Sequence, residues 1–320
     1  MQTILINKND AGQRIDRFLK KYFEKANLSF IYKNLRKKNI VVNGKKVIPE
    51  FVLNEGDKIE MYLSDETIKK FQAGEKNLKR GKNYPIVIYE DENIILMNKP
   101  SGILSHNDSK EFEKNMVDMM IDYLIAKGDY IPRIENSFRP SICNRLDRNT
   151  SGIIIGAKNA NSLRILNDSI KNHRVDKFYT TLVLGEVKND FEDVSKLLKD
   201  EKTNKVRVSK TEGKESITEF KVIKSAEYSL LSVKLVTGRT HQIRTVLKSK
   251  GFPIVGDIKY GVERVNRRFM EKYGYKSQFL HNNKIVFKDM PAELNYLSYK
   301  EFEVKIPKKE ERILKDIFGE

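Results

Sequence analysis

Residues 144–152 read Asn-Arg-Leu-Asp-Arg-Asn-Thr-Ser-Gly and run straight into Ile153-Ile154-Ile155. Asp147 stands between Arg145 and Arg148 in a string of loop-forming residues that ends in a glycine. An opposite charge a few ångströms away lowers a carboxylate pKa by about 1 to 3 units. Asp147 is therefore expected to be ionised at neutral pH and able to act as a base or a nucleophile. The plainer alternative is a loop salt bridge, or an aspartate closing a turn on Thr150 or Ser151. Two other stretches carry candidate chemistry. Residues 177–185 have a strand pattern that holds Tyr179, a phenol with a ring face for stacking and an oxygen for handling a proton. Thr237-Gly238-Arg239-Thr240-His241-Gln242-Ile243-Arg244 opens a helix expected to be capped by Thr240, with Ile243, Val246 and Leu247 inward, and stopped by Gly251 ahead of Pro253. Arg244 then lies in the first turns, near the positive end of the helix dipole, a setting that suits a carboxylate or a phosphate.

The elements that must position these groups follow from hydrophobic periodicity. Apolar runs at 86–88 and 94–97 flank Asp91-Glu92-Asn93 as a strand pair, and the second empties into Asn98-Lys99-Pro100-Ser101-Gly102. A helix is expected over 114–127, with Met116, Met119 and Met120 as core. A strand at 153–155, a helix over 161–172 and strands at 177–184 and 230–236 come next. Residues 190–216 are polar and charged and read as a surface excursion. Nearer the amino terminus, Ile15, Phe18, Leu19, Tyr22 and Phe23 fall at helical spacing. A second helix is expected from a Ser29 cap, with Arg36, Lys37 and Lys38 clustered toward its end. Residues 40–47 form a hairpin around the two-residue signal Asn43-Gly44, with Lys45 just beyond it, and a closing strand covers 58–63. The stretch 65–85 is polar and lysine-rich without apolar period, and reads as a flexible basic linker.

The totals narrow the class. The 320 residues hold 61 Lys plus Arg against 44 Asp plus Glu, a formal charge of +17. Residues 1–84 alone hold 19 Lys plus Arg against 10 Asp plus Glu, so a quarter of the chain carries more than half of the excess. Such a balance suggests a polyanion, nucleic acid before an acidic membrane surface. The single cysteine, Cys143, rules out an internal disulfide framework and reads as a small buried side chain. No apolar run approaches the ~18 residues that span a bilayer, and the expected setting is cytoplasmic with no membrane partner. Four histidines without ligand spacing and no glycine-rich phosphate loop leave metal and nucleotide cofactors unsupported, so none is expected.

The Asp147 nonapeptide, the tyrosine strand and the arginine string resemble, in the same order, three motifs of the RNA pseudouridine synthases, in the branch that modifies large-subunit ribosomal RNA. The segments 98–102, 251–261 and 278–282 are similar to that family too, and residues 12–64 resemble an S4 RNA-binding domain. Two letters depart: Asn144 stands where the branch usually has histidine, and Thr245-Val246 replaces a valine-histidine pair. The resemblance implies an α+β catalytic domain over 86–320, with a mixed, largely antiparallel sheet and a central cleft, behind an S4-like domain over 1–64. It implies that uridine in RNA, 23S ribosomal RNA first, is isomerised to pseudouridine with Asp147 as the catalytic residue, attacking C1′ or taking the C2′ proton. Arg244 would pair with Asp147, and Tyr179 would line the pocket. Arg145 would fill the gap left by an extruded base. Arg148, Arg239, Lys99, Arg36, Lys37, Lys38 and Lys45 are expected to contact RNA, and His241 and His281 to be structural. Transfer RNA is the alternative substrate, and a non-catalytic RNA-binding or ribosome-assembly factor the alternative class.

Overall fold

Apolar side chains at Ile15, Phe18, Leu19 and Phe23 are fully buried in the computed structural model, which describes residues 2–72, 84–107, 115–131, 137–200 and 203–319. The chain divides into two compact units. One is Met1–Tyr84 with Ile121–Ser141 and Lys158–Asn161; the other is Pro85–Met120 with Ile142–Ala157 and Ser162–Glu320.

The first unit contains β1 (Gln2–Leu5), α1 (Ile15–Tyr22), α2 (Leu28–Arg36), β2 (Ile40–Val42), β3 (Lys58–Met61) and α3 (Asp65–Phe71). The cap of α2 is Asn27, whose side chain accepts a hydrogen bond from Phe30 N, and not Ser29 as expected. Asparagine in extended backbone reaches the orphan amide ahead of the serine. Asn43 and Gly44 take positive φ, 49° and 72°, as the two-residue turn requires, and Val42 and Lys45 exchange backbone hydrogen bonds across it. Yet 45–47 does not continue as a strand. β2 pairs instead with β3, which also pairs with β1, giving an antiparallel order β1-β3-β2.

Two boundaries differ from the sequence reading. The expected linker begins as helix α3, where Ser64 accepts from Thr67 N, Ile68 is 4% exposed and Phe71 packs on Phe30 at 4.2 Å between ring centroids. A serine cap with two acids in the first turn is enough to start a helix that the polar composition obscures. Residues 73–83 lie outside the described ones. Residues 121–141, expected in the catalytic domain, belong to the first unit, where Ser137 N and Oγ donate to the Asp10 carboxylate at 3.1 and 2.6 Å.

Further along the chain come β4 (Ile86–Glu90), β5 (Ile94–Lys99), α4 (Met116–Lys127), β6 (Ser141–Ile142), β7 (Ser151–Ala157), α5 (Ala160–Lys171), β8 (Val175–Leu184) and β9 (Phe191–Asp200). They are followed by β10 (Lys205–Ser209), β11 (Lys214–Ser225), β12 (Tyr228–Leu235), α6 (Gln242–Ser249), α7 (Glu263–Tyr273), β13 (Leu280–Phe287), β14 (Glu301–Glu303) and α8 (Lys308–Phe318). The large sheet runs β10-β9-β11-β12-β8-β13-β7-β5-β4, antiparallel at every step except β13 to β7. This is the α+β arrangement expected. The polar stretch 190–216 is not a loop but supplies β9, β10 and the start of β11. Leu197, Val206, Ser216 and Thr218 are buried on these strands, whereas Val194 is 64% exposed. With so few apolar letters on the inner face, period-2 alternation is hard to see.

Register fixes the centre of the sheet. Gly152 of β7 lies opposite Asn282 of β13, which lies opposite Tyr179 of β8. Gly152 has φ +115°, and a Cβ there would fall 2.2 Å from the Asn282 carbonyl oxygen, so only glycine lets the parallel pair close. The strand leaving the Asp147 loop is thereby locked two strands from Tyr179.

Candidate active site

The Asp147 loop is held at several points along its length. Asn144 donates to Ile153 O and accepts from Ile155 N, so its amide ties the loop's start to β7. Ser105 Oγ donates to Leu146 O and accepts from Leu146 N, and Thr150 N donates to Asp147 O, closing a turn. The segment after β5 grips the other side: Lys99 Nζ donates to the carbonyls of Pro100 and Arg148, Ser101 Oγ to Asn149 O, and Gly102 N to Arg148 O. Gln278, just before β13, donates to Thr150 Oγ1. A carboxylate on so pinned a backbone has few positions to choose from.

The cation at Asp147 comes from far along the chain. Arg244 Nη1 donates to Asp147 Oδ2 at 2.6 Å, while its Nε and Nη2 donate to the two oxygens of Asp257 at 2.7 and 2.9 Å. One guanidinium thus serves two acids through its fork. The Asp257 side chain is fully buried. Burial alone would raise its pKa, but the Arg244 pair and donors from Lys259 N and Tyr260 N outweigh that and hold it below the usual carboxylate value. Burial works against the Arg244 charge as well, and the two aspartates overcome it and raise its pKa. Tyr260 underlies the arginine, with the guanidinium carbon 5.1 Å from its ring centroid. The two arginines beside Asp147 in sequence make other contacts: Arg145 Nη1 with His106 Nε2 at 3.3 Å, and Arg148 Nε with Gly102 O at 3.2 Å.

Helix α6 starts one residue later than expected. His241, not Thr240, occupies the cap position, in left-handed backbone at φ 53° and ψ 22°, without a capping side-chain bond. The loop is tied instead by Gln242, whose Oε1 accepts from Thr237 Oγ1 and Arg239 N while its Nε2 donates to Ile217 O. Arg239 is exposed, with Nε on Glu215 O. His281 is buried beside Ser151 Oγ at 2.8 Å and has its pKa lowered by burial to about 4, in keeping with a structural group.

These groups surround a cleft of about 390 Å³ lined by Asp147, Arg148, Asn149, Lys205, His241, Arg244, Ile258, Lys259 and Gln278. The carboxylate side chain of Asp147 is 29% exposed and faces an otherwise basic wall. Tyr179 is not in that lining. It is 5% exposed, and burial first and the Asp147 charge second raise its phenol pKa. At neutral pH it offers a ring and a hydroxyl, not a phenolate. Arg36, Lys37, Lys38 and Lys45 are all exposed in the first unit. Sequence reasoning misses Asp257 and Tyr260, although their bracketing glycines, Gly256 and Gly261, mark a constrained turn; a Cβ on Gly256 would meet Ser277 O at 2.0 Å.

For Lys99 the structure overturns the expected RNA contact. The residue is fully buried, out of reach of any RNA. Its ammonium follows an apolar strand back to the loop carbonyls, and burial, reinforced by Arg148 and opposed by Asp147, pushes its pKa down from 10.5 to about 7. Between those values the unfolded chain binds a proton that the folded chain releases, so this group makes stability rise with pH across that window and imposes its full cost below it. Lys99→Met is expected to flatten that rise, read from denaturant midpoints at about pH 6.5, 8 and 9.5. An unchanged slope would mean the amine keeps its charge throughout.

The fold is that of a pseudouridine synthase. The structure matches "Human RNA Pseudouridylate Synthase Domain Containing 4" with a TM-score of 0.55 over 72% of this chain and 91% of that one, at 19% sequence identity, a likeness of fold alone. In sequence, the family model described as RNA pseudouridylate synthase matches residues 93–249. The chain is 36% identical over 307 residues to an "Uncharacterized RNA pseudouridine synthase" of Mycoplasma capricolum, covering 94% of this chain and 96% of that protein. It is 33% identical over 288 residues to "Ribosomal large subunit pseudouridine synthase C" of Escherichia coli, covering 88% and 86%. The chain belongs to the RNA pseudouridine synthase family, enzymes that isomerise uridine within RNA. Among the described residues, no helix is long and apolar enough to cross a membrane.

Proposed function

We propose that this protein converts uridine to pseudouridine in 23S ribosomal RNA, with Asp147 as the catalytic residue. The observation that carries this reading is the 2.6 Å bond from Arg244 to Asp147 at the wall of a basic cleft. The reaction breaks the N1–C1′ bond and forms C5–C1′; the C5 proton leaves and N1 gains one. One glycosidic bond replaces another, so the protein must supply access, charge and position. The target base has to leave its stack to reach Asp147, and exposed Arg145 is the group proposed to occupy the space it vacates. Arg244 steadies the carboxylate and aims it at the ribose. Arg148 and Arg239 hold neighbouring phosphates, and Tyr179, 5% exposed and outside the cleft lining, supports the site as a buried group near Asp147 instead of an open stacking face.

Large-subunit RNA is favoured over transfer RNA by relatives named for the ribosomal large subunit in Escherichia coli and in Vibrio vulnificus, the latter 35% identical over 303 residues. Mapping pseudouridines in 23S and transfer RNA from cells lacking the protein tests the choice. A site missing from 23S RNA and restored by the purified protein supports it; a site missing only from transfer RNA moves the substrate; unchanged maps remove both.

Residues 1–64 of the first unit are proposed to act as an S4-like RNA-binding module, whose exposed Arg36, Lys37, Lys38 and Lys45 contribute affinity through phosphates. Replacing Arg36, Lys37 and Lys38 with alanine should weaken RNA binding and reduce the slope of log K against log salt by about 1 for each phosphate no longer neutralised. Identical slopes would show that this cluster faces water alone.

A further inference from the structure

We propose that His241 is a specificity-determining residue, a neutral donor whose Nε2–H reads the 2′-hydroxyl of the target nucleotide beside Asp147. This role depends on the functional reading above. The tautomer is fixed by its neighbours. Tyr260 Oη lies 2.8 Å from Val206 N and 2.9 Å from His241 Nδ1. The amide is a donor only, so Tyr260 accepts there. If His241 Nδ1 also carried its proton, the hydroxyl hydrogen of a residue only 4% exposed would be the group left without that partner. Both bonds are satisfied when Tyr260 donates to Nδ1. The ring proton is then on Nε2.

That nitrogen faces the cleft, 3.9 Å from Asp147 Oδ2. The gap is too long for a direct hydrogen bond, and the His241 backbone beside it is held in left-handed geometry at φ 53°. The side chain of His241 is only 14% exposed. Burial lowers the pKa of the imidazole more than Asp147 raises it, with Arg244 and Lys259 adding to the fall, so the neutral form is the working one. A neutral donor beside a carboxylate selects a partner that is neither. An oxygen about 2.8 Å from Nε2 and about 3 to 3.5 Å from Oδ2 spans the 3.9 Å separation. Whether Asp147 engages C1′ or the C2′ proton, the ribose 2′-oxygen is the atom carried to that place. Its hydroxyl accepts from Nε2–H and gives the site a means of distinguishing ribose from deoxyribose.

The test is a binding cycle that needs no turnover. Asp147→Asn protein, with and without His241→Ala or His241→Gln, is titrated with an RNA oligonucleotide spanning the mapped uridine, and with the same strand bearing 2′-deoxyuridine there. Removing the 2′-hydroxyl should weaken binding about fivefold to tenfold, the loss of one neutral hydrogen bond. His241→Ala should weaken binding to the ribose strand by a similar factor and make the protein indifferent to the 2′ group. His241→Gln, which can present an amide N–H from nearly the same place, should restore most of the discrimination. If the two losses multiply, or if His241→Ala protein still prefers the ribose strand as before, the proposal is overturned. Failure of the functional reading shows separately, as unaltered protein that makes no pseudouridine in the parent RNA.

Discussion

Asp147→Asn protein is expected to fold normally, bind its RNA within a few-fold of the unaltered protein, and make pseudouridine at least about 10³-fold more slowly, as when the central group of a catalytic constellation is removed. The substitution keeps the shape and one acceptor oxygen for Arg244 but deletes the charge that would attack C1′ or take the C2′ proton. Its stability cost is small. The Asp147 side chain is 29% exposed beside an arginine that is 7% exposed; the amide oxygen keeps a hydrogen bond from Nη1, so the loss should be on the order of 1 kcal/mol, and Arg244 keeps Asp257 as its charge partner. Single-turnover pseudouridine formation and a thermal melt measured together separate the two effects. Activity within tenfold of normal would remove Asp147 from the chemistry and assign it to another group of the cleft.

Arg244→Met is expected to do the converse and damage both properties. It strands Asp257, a fully buried carboxylate left with only backbone donors, and breaking a buried pair from one side costs about 3 to 5 kcal/mol. The melting temperature should fall on the order of 10 °C for a unit of this size. Arg244→Met combined with Asp257→Leu removes both charges and should recover most of the stability, since the penalty lies in the orphaned acid. It should not recover activity, because nothing then aims Asp147. A single variant as stable as the parent, or a double variant with normal turnover, would dismiss the idea that one guanidinium joins the carboxylate to the scaffold. Arg244→Lys is expected to resemble Met more than Arg in activity: a point charge cannot serve both acids through three donors.

How much of this molecule is legible in its sequence depends on how local each signal is. Helix α1, the Asn43-Gly44 turn and the β4–β5 pair rest on side chains within a few positions of one another, and they stand as expected. Asp147 and Arg244 are recognisable by resemblance, but their meeting across 97 positions is a property of the folded chain. The cap at His241 escapes sequence reasoning because Thr240 beside it has the better intrinsic preference, and the cap at Asn27 because asparagine and Ser29 two residues on are equally good, so that only the fold chooses between them. Lys99 misleads because charge in a loop motif suggests solvent; only the fold reveals that it is a continuation of β5 running under the Arg148 carbonyl. Asp257 and Tyr260 stay hidden for the reverse reason: their work is to support another side chain, and nothing in their own neighbourhood announces it.

The parallel partnership of β7 with β13 also governs how the protein comes off the ribosome. Strand β7 has all seven residues buried, with β5 on one flank made early and β13 on the other beginning only at Leu280. Cys143 and Asn144 bond the Ile153–Ile155 part of that edge locally, so what stays open until synthesis passes that point is its Ser151–Gly152 end, a short stretch of unpaired strand. Closure waits for a contact of very high sequence separation, which is slow to form. The centre of the sheet is thus completed only once β13 has emerged, although most of β7 is already flanked by residues made before it.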